Sequence, residues 1–299
     1  MFYGWDASDF DWDRGARQSN VAAAAKEGIR LFTHKITEGT KTVHIRAGAM
    51  VKAAVDAGIP FVGFYVVTRT PGNNGHGSVS AQVDFAIREA NKQFPAWKST
   101  PGFFWQVDLE HWSYDKVAPK HGNEMCRLFE ERTGKKTVLY APRWAYGDSI
   151  PGKTPLWASN YANPQTPADF KTMWSRAPKP HPGFAAYSGR KPIVLQYTDR
   201  ARIGGQHTCD ANVIDMTEAE FAAFVGGSAS SSSGWDATIQ KINKDSGTSP
   251  QMKARSFLAY AHEYALERLR RLNTALENQA KLIKAVDDLQ AKLDREDEC

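Results

Sequence analysis

Short runs of apolar, aromatic and β-branched residues recur along most of the chain, and longer segments with helical spacing separate them. Runs of this kind, bounded by Gly, Pro, Asn or Asp, are typical of buried β-strands. They predict eight strands, of which the last is the weakest: residues 2–8, 31–39, 61–67, 102–110, 137–142, 155–161, 192–198 and 212–216. Because most of these runs are apolar at nearly every position, we expect both faces of the sheet to be buried.

Amphipathic or Ala-rich segments alternate with the early strands and predict helices at residues 14–27, 44–57, 78–94 and 122–132. Gly28, Gly58 and Gly134 follow three of these segments, where helices commonly end on a residue in the left-handed conformation. Apolar strands that alternate with helices predict a parallel sheet, and eight of them suggest a closed barrel of the α/β class. Pro- and Gly-rich segments replace long helices in the second half, so we expect an irregular (β/α)8-type barrel with shortened outer helices there.

The composition changes after residue 225. Residues 226–234, GGSASSSSG, are typical of a flexible linker. In residues 235–299 a 4-3 spacing of mostly apolar positions runs from Leu258 to Leu293, about five heptads, which predicts a coiled-coil-like helix. We therefore predict a barrel domain over residues 1–225 and a C-terminal helical segment that forms a homo-oligomer. Folding back of this helix on the barrel is the alternative.

The net charge of +5 and the pI of about 9.0 indicate an anionic partner, and residues before 235 carry the whole excess of positive charge. No run of Lys and Arg marks a nucleic-acid-binding arm. Cys126, Cys209 and Cys299 lie far apart, which argues against a disulfide framework or a zinc site, and no cofactor is expected. The first residues lack the features of a secretory signal peptide, and no apolar run is long enough for a membrane span, so synthesis in a cytoplasm is expected.

The fourth predicted strand carries two acids in an otherwise apolar and aromatic run, FFWQVDLEHW. Residues at i, i+2 and i+4 of a strand share a face, so Gln106, Asp108 and Glu110 point to one side and their apolar neighbours to the other. In a closed barrel the polar side is the interior. The two acids lie at the carboxyl end of the strand, where the functional sites of such barrels are built.

Other predicted strands bring acids to the same end: Asp6 after the first strand, Glu38 after the second, and Asp210 just before the last. Crowded, buried carboxylates cannot all ionise at low cost, so one of them is expected to keep its proton near neutral pH and to serve as a general acid. A general acid beside a second carboxylate is the arrangement that hydrolyses glycosidic bonds. A buried structural network is the alternative role for Asp108 or Glu38.

Aromatic side chains near other strand ends are candidates for flat surfaces on which sugar rings stack, although each is also an ordinary core residue: Tyr65, Trp112, Trp144, Trp157, Tyr161 and Tyr197. The histidines show no spacing typical of metal ligands, so no metal site is predicted and we interpret four of them as structural or rim residues: His34, His76, His111 and His207.

Five elements in chain order resemble glycoside hydrolase family 25, the Chalaropsis-type lysozymes, which include many phage endolysins. The opening G-x-D-x-S pattern is present as GWDAS, K-x-T-E-G as KITEG, D-x-E within VDLE, PLW-x-x-x-Y as PLWASNY, and the late pair as QYT followed by DAN. The resemblance covers residues 2–225. A chitinase-type barrel would have D-x-x-D-x-D-x-E, but Phe103 and Gln106 occupy its first two acidic positions here.

The resemblance implies an irregular barrel that cleaves the β-1,4 bond between N-acetylmuramic acid and N-acetylglucosamine in peptidoglycan. By it, Glu110 is the general acid and base, and Asp108 orients the 2-acetamido group of the substrate. Asp6 and Asp210 are further acids of the site. Glu38 and the aromatic residues at the strand ends, apart from Trp144, are candidates for substrate binding. Both a substrate-assisted reaction and direct attack by water are compatible with this set.

The favoured function is that of a phage endolysin that accumulates in the host cytoplasm, is released, and then degrades the cell wall. Its partners are the peptidoglycan glycan strands, and neither nucleic acid nor a membrane span is expected. The C-terminal segment, residues 235–299, serves oligomerisation or engagement of the wall. The alternatives are a catalytically silent wall-binding module, another barrel glycosidase that acts on N-acetylated glycans, and a structural protein whose function lies in the helical segment.

Overall fold

The computed structural model describes residues 1–162 and 166–226. The predicted helical segment, most of the predicted linker and the predicted homo-oligomer contacts lie outside these ranges. The described residues contain eleven strands: β1 (Phe2–Ala7), β2 (Ile29–Glu38), β3 (Thr42–Val43), β4 (Phe61–Val67), β5 (Phe103–Asp108), β6 (His111–Trp112), β7 (Asp115–Lys116), β8 (Thr137–Tyr140), β9 (Leu156–Ser159), β10 (Val194–Ile203) and β11 (Gln206–Ile214).

Eight of these strands form a closed barrel in the order β1-β11-β10-β9-β8-β5-β4-β2, which the pairing of β1 with β2 completes. The predicted barrel of the α/β class is therefore confirmed. The remaining strands form small additions at the end of the barrel where the parallel strands terminate: β3 pairs with the end of β2, and β6 with β7 forms a hairpin directly after β5.

Eight α-helices accompany the strands in the described ranges: α1 (Asp9–Asp13), α2 (Gln18–Glu27), α3 (Ala47–Asp56), α4 (Val79–Gln93), α5 (Pro119–Thr133), α6 (Arg143–Tyr146), α7 (Phe170–Ser175) and α8 (Glu218–Val225). The four long outer helices are those that the sequence predicts. Gly28 and Gly134 end α2 and α5 in the left-handed conformation, with φ of 104° and 67°. Since α6 and α7 have only 4 and 6 residues, the outer layer is indeed short in the second half.

The last barrel strand differs from the prediction, because β11 runs antiparallel to both of its neighbours, β1 and β10. The turn between β10 and β11 consists of Gly204 and Gly205, and a turn of two residues can only reverse the chain. The expectation of an entirely parallel sheet is thus wrong at this strand. The strand is also longer than the predicted segment 212–216 and includes Asp210.

Apolar side chains fill the space between the sheet and the outer helices, and a second cluster fills the barrel interior toward the amino ends of the parallel strands. In β5 the outward-facing Trp105 stacks on Phe129 of α5, with ring centroids 4.4 Å apart, whereas Phe104 belongs to the interior cluster. Phe221 of α8 packs against Phe61, with centroids 4.9 Å apart, at the amino ends of the parallel strands. The interior is therefore apolar at this end, and polar groups gather at the other end, the mouth. None of the helices in the described ranges combines the length and the apolar character that crossing a membrane requires.

Candidate active site

A cavity of about 250 Å³ opens at the mouth of the barrel. Its walls combine carboxyl, amide and cationic groups with aromatic rings, and they come from most of the barrel strands and the loops that follow them. The lining residues are Asp6, Ser8, Phe10, Asp11, Arg14, Lys35, Tyr65, Gln106, Asp108, Glu110, Trp112, Tyr140, Tyr161, Gln196 and Asp210.

The two acids of the fourth predicted strand enter this cavity together. Gln106 and Asp108 of β5 and Glu110, two residues beyond Asp108, face the interior, as the alternation of the strand predicts. Burial, and then the neighbouring charge of Glu110, raise the pKa of Asp108 well above its usual range. Burial also raises the pKa of Glu110. The Oδ1 atom of Asp108 is buried and has no hydrogen-bond partner among the described residues, so it is an open acceptor.

A second pair of acids lies on the neighbouring strands, where Asp6 of β1 and Asp210 of β11 are direct partners in the antiparallel register. Asp6 accepts hydrogen bonds from Asn212 Nδ2 at 2.6 Å and from Gln196 Nε2 at 3.1 Å. Burial nevertheless raises the pKa of Asp6 to about 7. The pKa of Asp210 is raised well above its usual range by burial and by the charge of Asp6. Both carboxyls therefore have a high affinity for a proton at neutral pH.

Asp11 also reaches the cavity, and sequence reasoning missed it. It is the third residue of α1, where its Oδ2 atom accepts a hydrogen bond from the backbone N–H of Ser8 at 2.7 Å, while the Ser8 hydroxyl caps the helix. The S-x-x-D pattern that begins at Ser8 is the signature of such a capping box and could have identified it. The role of Asp11 is thus largely structural, and it fixes the helix that carries Phe10 to the cavity rim.

Lys35, from the KITEG motif, is a buried cation in the cavity wall. Its ammonium group lies 3.7 Å from Glu38 Oε2 and 5.7 Å from the centre of the Tyr65 ring. The positive charge of Lys35 lowers the pKa of both Asp108 and Glu110 and so opposes part of the effect of burial. A cavity with more acids than cations favours a state in which some of the acids are ionised and others are protonated.

Two tyrosines and a glutamine connect the two acid pairs. Tyr161 donates a hydrogen bond to Gln196 Oε1 at 2.6 Å, and the amide nitrogen of Gln196 binds Asp6. The hydroxyl of Tyr140 donates to the same Gln196 oxygen at 3.2 Å, and its interaction with Glu110 lowers the pKa of that acid. Gln196 Oε1 has two lone pairs and can accept from both tyrosines, while the single hydroxyl proton of Tyr140 can be donated either to this oxygen or to Glu110. The polar character of these residues at inward-facing strand positions was the signal that could have identified Tyr140 and Gln196.

Seven of the ten predicted site residues line the cavity: Asp6, Tyr65, Asp108, Glu110, Trp112, Tyr161 and Asp210. Two predicted aromatic residues have other positions. Trp157 is fully buried in the interior cluster below the cavity, where its indole nitrogen donates to Asn212 Oδ1 at 2.9 Å. Tyr197 faces the outer helix layer and donates to the carbonyl oxygen of Phe170 at 2.7 Å. Neither presents a free ring face to the cavity, so these positions do not fit the predicted stacking role.

Glu38 also lies outside the cavity lining, and it occupies the structural network that the sequence left as its alternative role. Its carboxylate binds the guanidinium of the buried Arg69, with Nε at 3.0 Å from Oε1, and approaches Lys35. Glu38 therefore acts on the site through these two cations, and its own charge also raises the pKa of both Asp108 and Glu110. The exposed Trp144 lies on α6, outside the cavity lining.

The arrangement is suited to proton transfer. Five carboxyl groups with raised pKa values line one cavity, and the tyrosine and the lysine beside Glu110 moderate its pKa. Pairs of acids whose surroundings separate their pKa values are typical of general acid and base sites. Within the described ranges, no cluster of three or more His, Cys, Asp or Glu side chains is arranged to hold a metal ion.

Comparison with solved structures identifies the fold. The chain is similar to the lysozyme from Streptomyces coelicolor, with 21% identity over 75% of this chain and 96% of that one and a TM-score of 0.57. The barrel has the family 25 lysozyme fold. A family GH25 lysozyme from Aspergillus fumigatus matches with 17% identity over 75% of this chain and 98% of that one, at a TM-score of 0.54. The catalytic domain of endolysin ply40 from bacteriophage P40 of Listeria monocytogenes has 16% identity, 76% and 98% coverage, and a TM-score of 0.52.

These likenesses lie in structure far more than in sequence. No family model matches the chain, and no curated protein matches it. Identities of 16–21% with these structures are consistent with a shared fold, and the residues of the site must carry any argument about chemistry.

Proposed function

We propose that this chain is a glycoside hydrolase that degrades peptidoglycan and cleaves the β-1,4 bond between N-acetylmuramic acid and N-acetylglucosamine. The observation that carries the proposal is the pair Asp108, at the end of β5, and Glu110, two residues beyond it, which both enter one polar cavity and both have raised pKa values. Burial of such a pair at the mouth of the barrel is costly for stability and useful for proton transfer.

In this reaction Glu110 protonates the oxygen of the leaving sugar and then, as the carboxylate, removes a proton from the incoming water. The hydrogen bond from Tyr140 and the charge of Lys35 stabilise the ionised form that follows proton donation. Burial keeps the proton on Glu110 before the reaction by raising its pKa.

Asp108 is proposed to hold the 2-acetamido group of the sugar whose bond is broken. Among the described residues its buried Oδ1 atom has no partner, so an acetamido N–H can donate to it. A fixed acetamido group can use its own carbonyl oxygen as the nucleophile, and two acids on the same strand face suit this substrate-assisted route. Glycosidases of this kind depart from the general scheme with two separated carboxylates.

Exposed aromatic side chains around the mouth support a polymeric sugar substrate. Six large apolar side chains are exposed in the described residues, and four of them are aromatic residues that follow the carboxyl ends of barrel strands: Phe10, Tyr114, Trp144 and Tyr161. Aromatic rings left in water at one end of a barrel are not needed for its core, and flat rings bind the apolar faces of sugars. A glycan strand that crosses the mouth would contact several of them.

The more specific proposal is a bacteriolytic endolysin of phage type that acts on the bacterial cell wall. The likeness to the bacteriophage P40 endolysin and the net positive charge, which suits an anionic wall, support it. The homo-oligomer through residues 235–299 remains part of this proposal. Sedimentation of the full chain, in comparison with residues 1–226, tests it.

The test of the reaction is to incubate the full chain with purified peptidoglycan and to measure new reducing ends. Reduction and acid hydrolysis then identify the sugar that carries them. Muramic acid is expected, and glucosamine at the new ends would exclude the muramidase reaction. Binding of the chain to walls without any release of reducing ends would instead favour a silent wall-binding module.

Glu110→Gln is expected to lower turnover by roughly 10²-fold or more, since it removes the proton that the leaving group needs. Its circular dichroism spectrum should match that of the unchanged protein, and its melting temperature should be equal or higher, because burial of the Glu110 charge costs stability. Turnover within a few-fold of the unchanged protein would reject Glu110 as the general acid.

A further inference from the structure

The hairpin of β6 and β7 follows Glu110 directly and carries two aromatic rings to the edge of the cavity. Trp112 lines the cavity, and Tyr114 at the turn is 60% exposed. The two rings are nearly parallel, with an angle of 20° between their planes and 6.3 Å between their centroids. The two aromatic rings therefore lie together on the hairpin, one at the cavity wall and the other at the exposed turn.

A buried arginine holds both rings. The Arg69 guanidinium carbon lies 5.4 Å from the centre of the Trp112 ring and 5.0 Å from that of Tyr114, and its Nη2 atom donates to the Tyr114 hydroxyl at 2.9 Å. Its Nη1 atom lies 3.7 Å from Asp115 Oδ2, and its Nε atom donates to Glu38 at 3.0 Å. The side chain of Arg69 is only 4% exposed.

The base of the hairpin is fixed from both sides. Asp115 accepts hydrogen bonds from the backbone N–H and the hydroxyl of Thr70, at 3.2 Å and 2.5 Å. The backbone of Arg69 exchanges two hydrogen bonds with the side-chain amide of Gln82, at 3.0 Å and 2.8 Å. Burial of charged groups costs desolvation free energy, so apolar contacts could stabilise this hairpin at least as well. The buried charges instead define its geometry.

We propose that the β6–β7 hairpin is a glycan-binding arm, in which the Trp112 and Tyr114 rings hold an N-acetylated sugar unit next to the one at Glu110. Arg69 is a positioning residue that sets the angle of this arm through its contacts with both rings. The identity of the ligand rests on the proposed function. The arm contributes to binding of the glycan strand and not to the chemical step, because neither ring is required for proton transfer.

This separation gives the expected kinetics on polymeric peptidoglycan. Tyr114→Ala removes the outer ring and should raise KM roughly three- to tenfold, the range expected for one aromatic contact, with kcat within about twofold. Tyr114→Phe keeps the ring but loses the hydrogen bond from Arg69, so it should raise KM less than Tyr114→Ala does. Ser113→Ala, at the exposed turn of the same hairpin, is the matched control and should change neither constant.

Arg69→Lys keeps the charge beside Glu38 and Asp115 but loses the planar fork that contacts both rings. It should therefore raise KM in the same direction as Tyr114→Ala, again with little effect on kcat. A lower melting temperature with unchanged KM would show a purely structural role and would overturn the assignment of Arg69 as a positioning residue.

A binding measurement separates failure of the arm from failure of the proposed reaction. The Glu110→Gln chain is titrated calorimetrically with a soluble tetrasaccharide of alternating N-acetylglucosamine and N-acetylmuramic acid, with and without Tyr114→Ala. A three- to tenfold weaker Kd supports the arm even if the unchanged protein releases no reducing ends. Equal Kd values, or no binding to the Glu110→Gln chain, would overturn the arm, whatever the outcome of the activity assay.

Discussion

The carboxyl group of Asp108 combines deep burial with an oxygen atom that has no partner in the described structure. Its raised pKa means that ionisation is less favourable in the folded chain than in the unfolded chain. The folded state therefore loses stability as the pH rises above the unfolded pKa of about 3.9, until the pKa of the folded state is passed. This is the behaviour expected of a residue that is retained for its chemistry.

Asp108→Asn should accordingly raise the free energy of unfolding, by about 1–2 kcal/mol near pH 7, and should lower activity. The gain should be smaller at pH 4, where the carboxyl group of the unfolded chain is already partly protonated. Urea unfolding at both pH values measures it. Asp115→Asn is the control. Burial raises the pKa of Asp115, but hydrogen bonds from Thr70 and Asn73 and the charge of Arg69 together lower it below its usual value, so loss of this carboxylate should destabilise the protein at neutral pH. Equal effects of the two substitutions would contradict the argument.

The pH dependence of the reaction should depend on Tyr140. Its hydroxyl stabilises the ionised form of Glu110, although burial leaves the pKa of Glu110 raised overall. Tyr140→Phe removes this hydrogen bond, so the pKa of Glu110 should rise further and the acid should stay protonated to higher pH. The alkaline limb of the kcat/KM profile should therefore move to higher pH. A limb that moves to lower pH, or that does not move, would exclude Glu110 as the group responsible.

Among the secondary-structure elements, the β10–β11 hairpin decides how the second acid pair forms. Its register places Asp210 opposite Asp6, and its turn packs on α2. Gly204 and Gly205 both have positive φ, 56° and 81°. A Cβ atom at Gly204 would lie 2.0 Å from the carbonyl oxygen of Asn20, whereas at Gly205 the nearest atom, on the Asn20 side chain, is 3.7 Å away.

The two glycines make a matched pair for a stability test. Gly205→Ala carries only the backbone strain of the left-handed conformation, about 1–2 kcal/mol. Gly204→Ala adds a clash with the backbone of α2, so it should lower the free energy of unfolding by about 1–3 kcal/mol more, the usual cost of an overpacked site. Urea unfolding measures both. If the two variants had the same stability, the hairpin would not pack on α2 as described.

For the whole molecule, the barrel needs α8 to close its amino end. Phe221 is fully buried against Phe2, Phe61 and Phe104, and Arg30 of β2 binds Glu218 through two hydrogen bonds. Removal of this helix would expose the interior aromatic cluster to water, at a cost typical of the loss of a large buried side chain, about 3–5 kcal/mol or more.

Two truncations test this. A chain that ends at Gly226 should fold with a cooperative thermal transition and release reducing ends from peptidoglycan. A chain that ends at Met216 lacks α8 and should lose the cooperative transition or aggregate. Near-ultraviolet circular dichroism and calorimetry distinguish the two. A cooperative transition in the shorter chain would show that α8 is not part of the barrel core.

The sequence alone determined those features that depend on local pattern. The alternation within 102–110 decided that Asp108 and Glu110 share an inward face, since the side-chain period of a strand is two. Glycines after the helical segments marked the ends of α2 and α5, because few other residues tolerate the left-handed conformation. The order of strands and helices was enough to predict a closed barrel of the α/β class with its polar groups at one end.

Only the tertiary structure decided the features that depend on contacts between distant segments. The direction of β11 follows from a two-residue turn, and the pairing of Asp6 with Asp210 follows from that direction. Trp157, Tyr197 and Tyr161 are all aromatic residues near the ends of predicted strands, so the sequence does not distinguish them. Contacts with the barrel interior bury Trp157 and contacts with α7 bury Tyr197, whereas Tyr161 reaches the cavity. Burial is a property of the packed molecule, so residue type and strand position alone could not separate a core aromatic from a cavity aromatic.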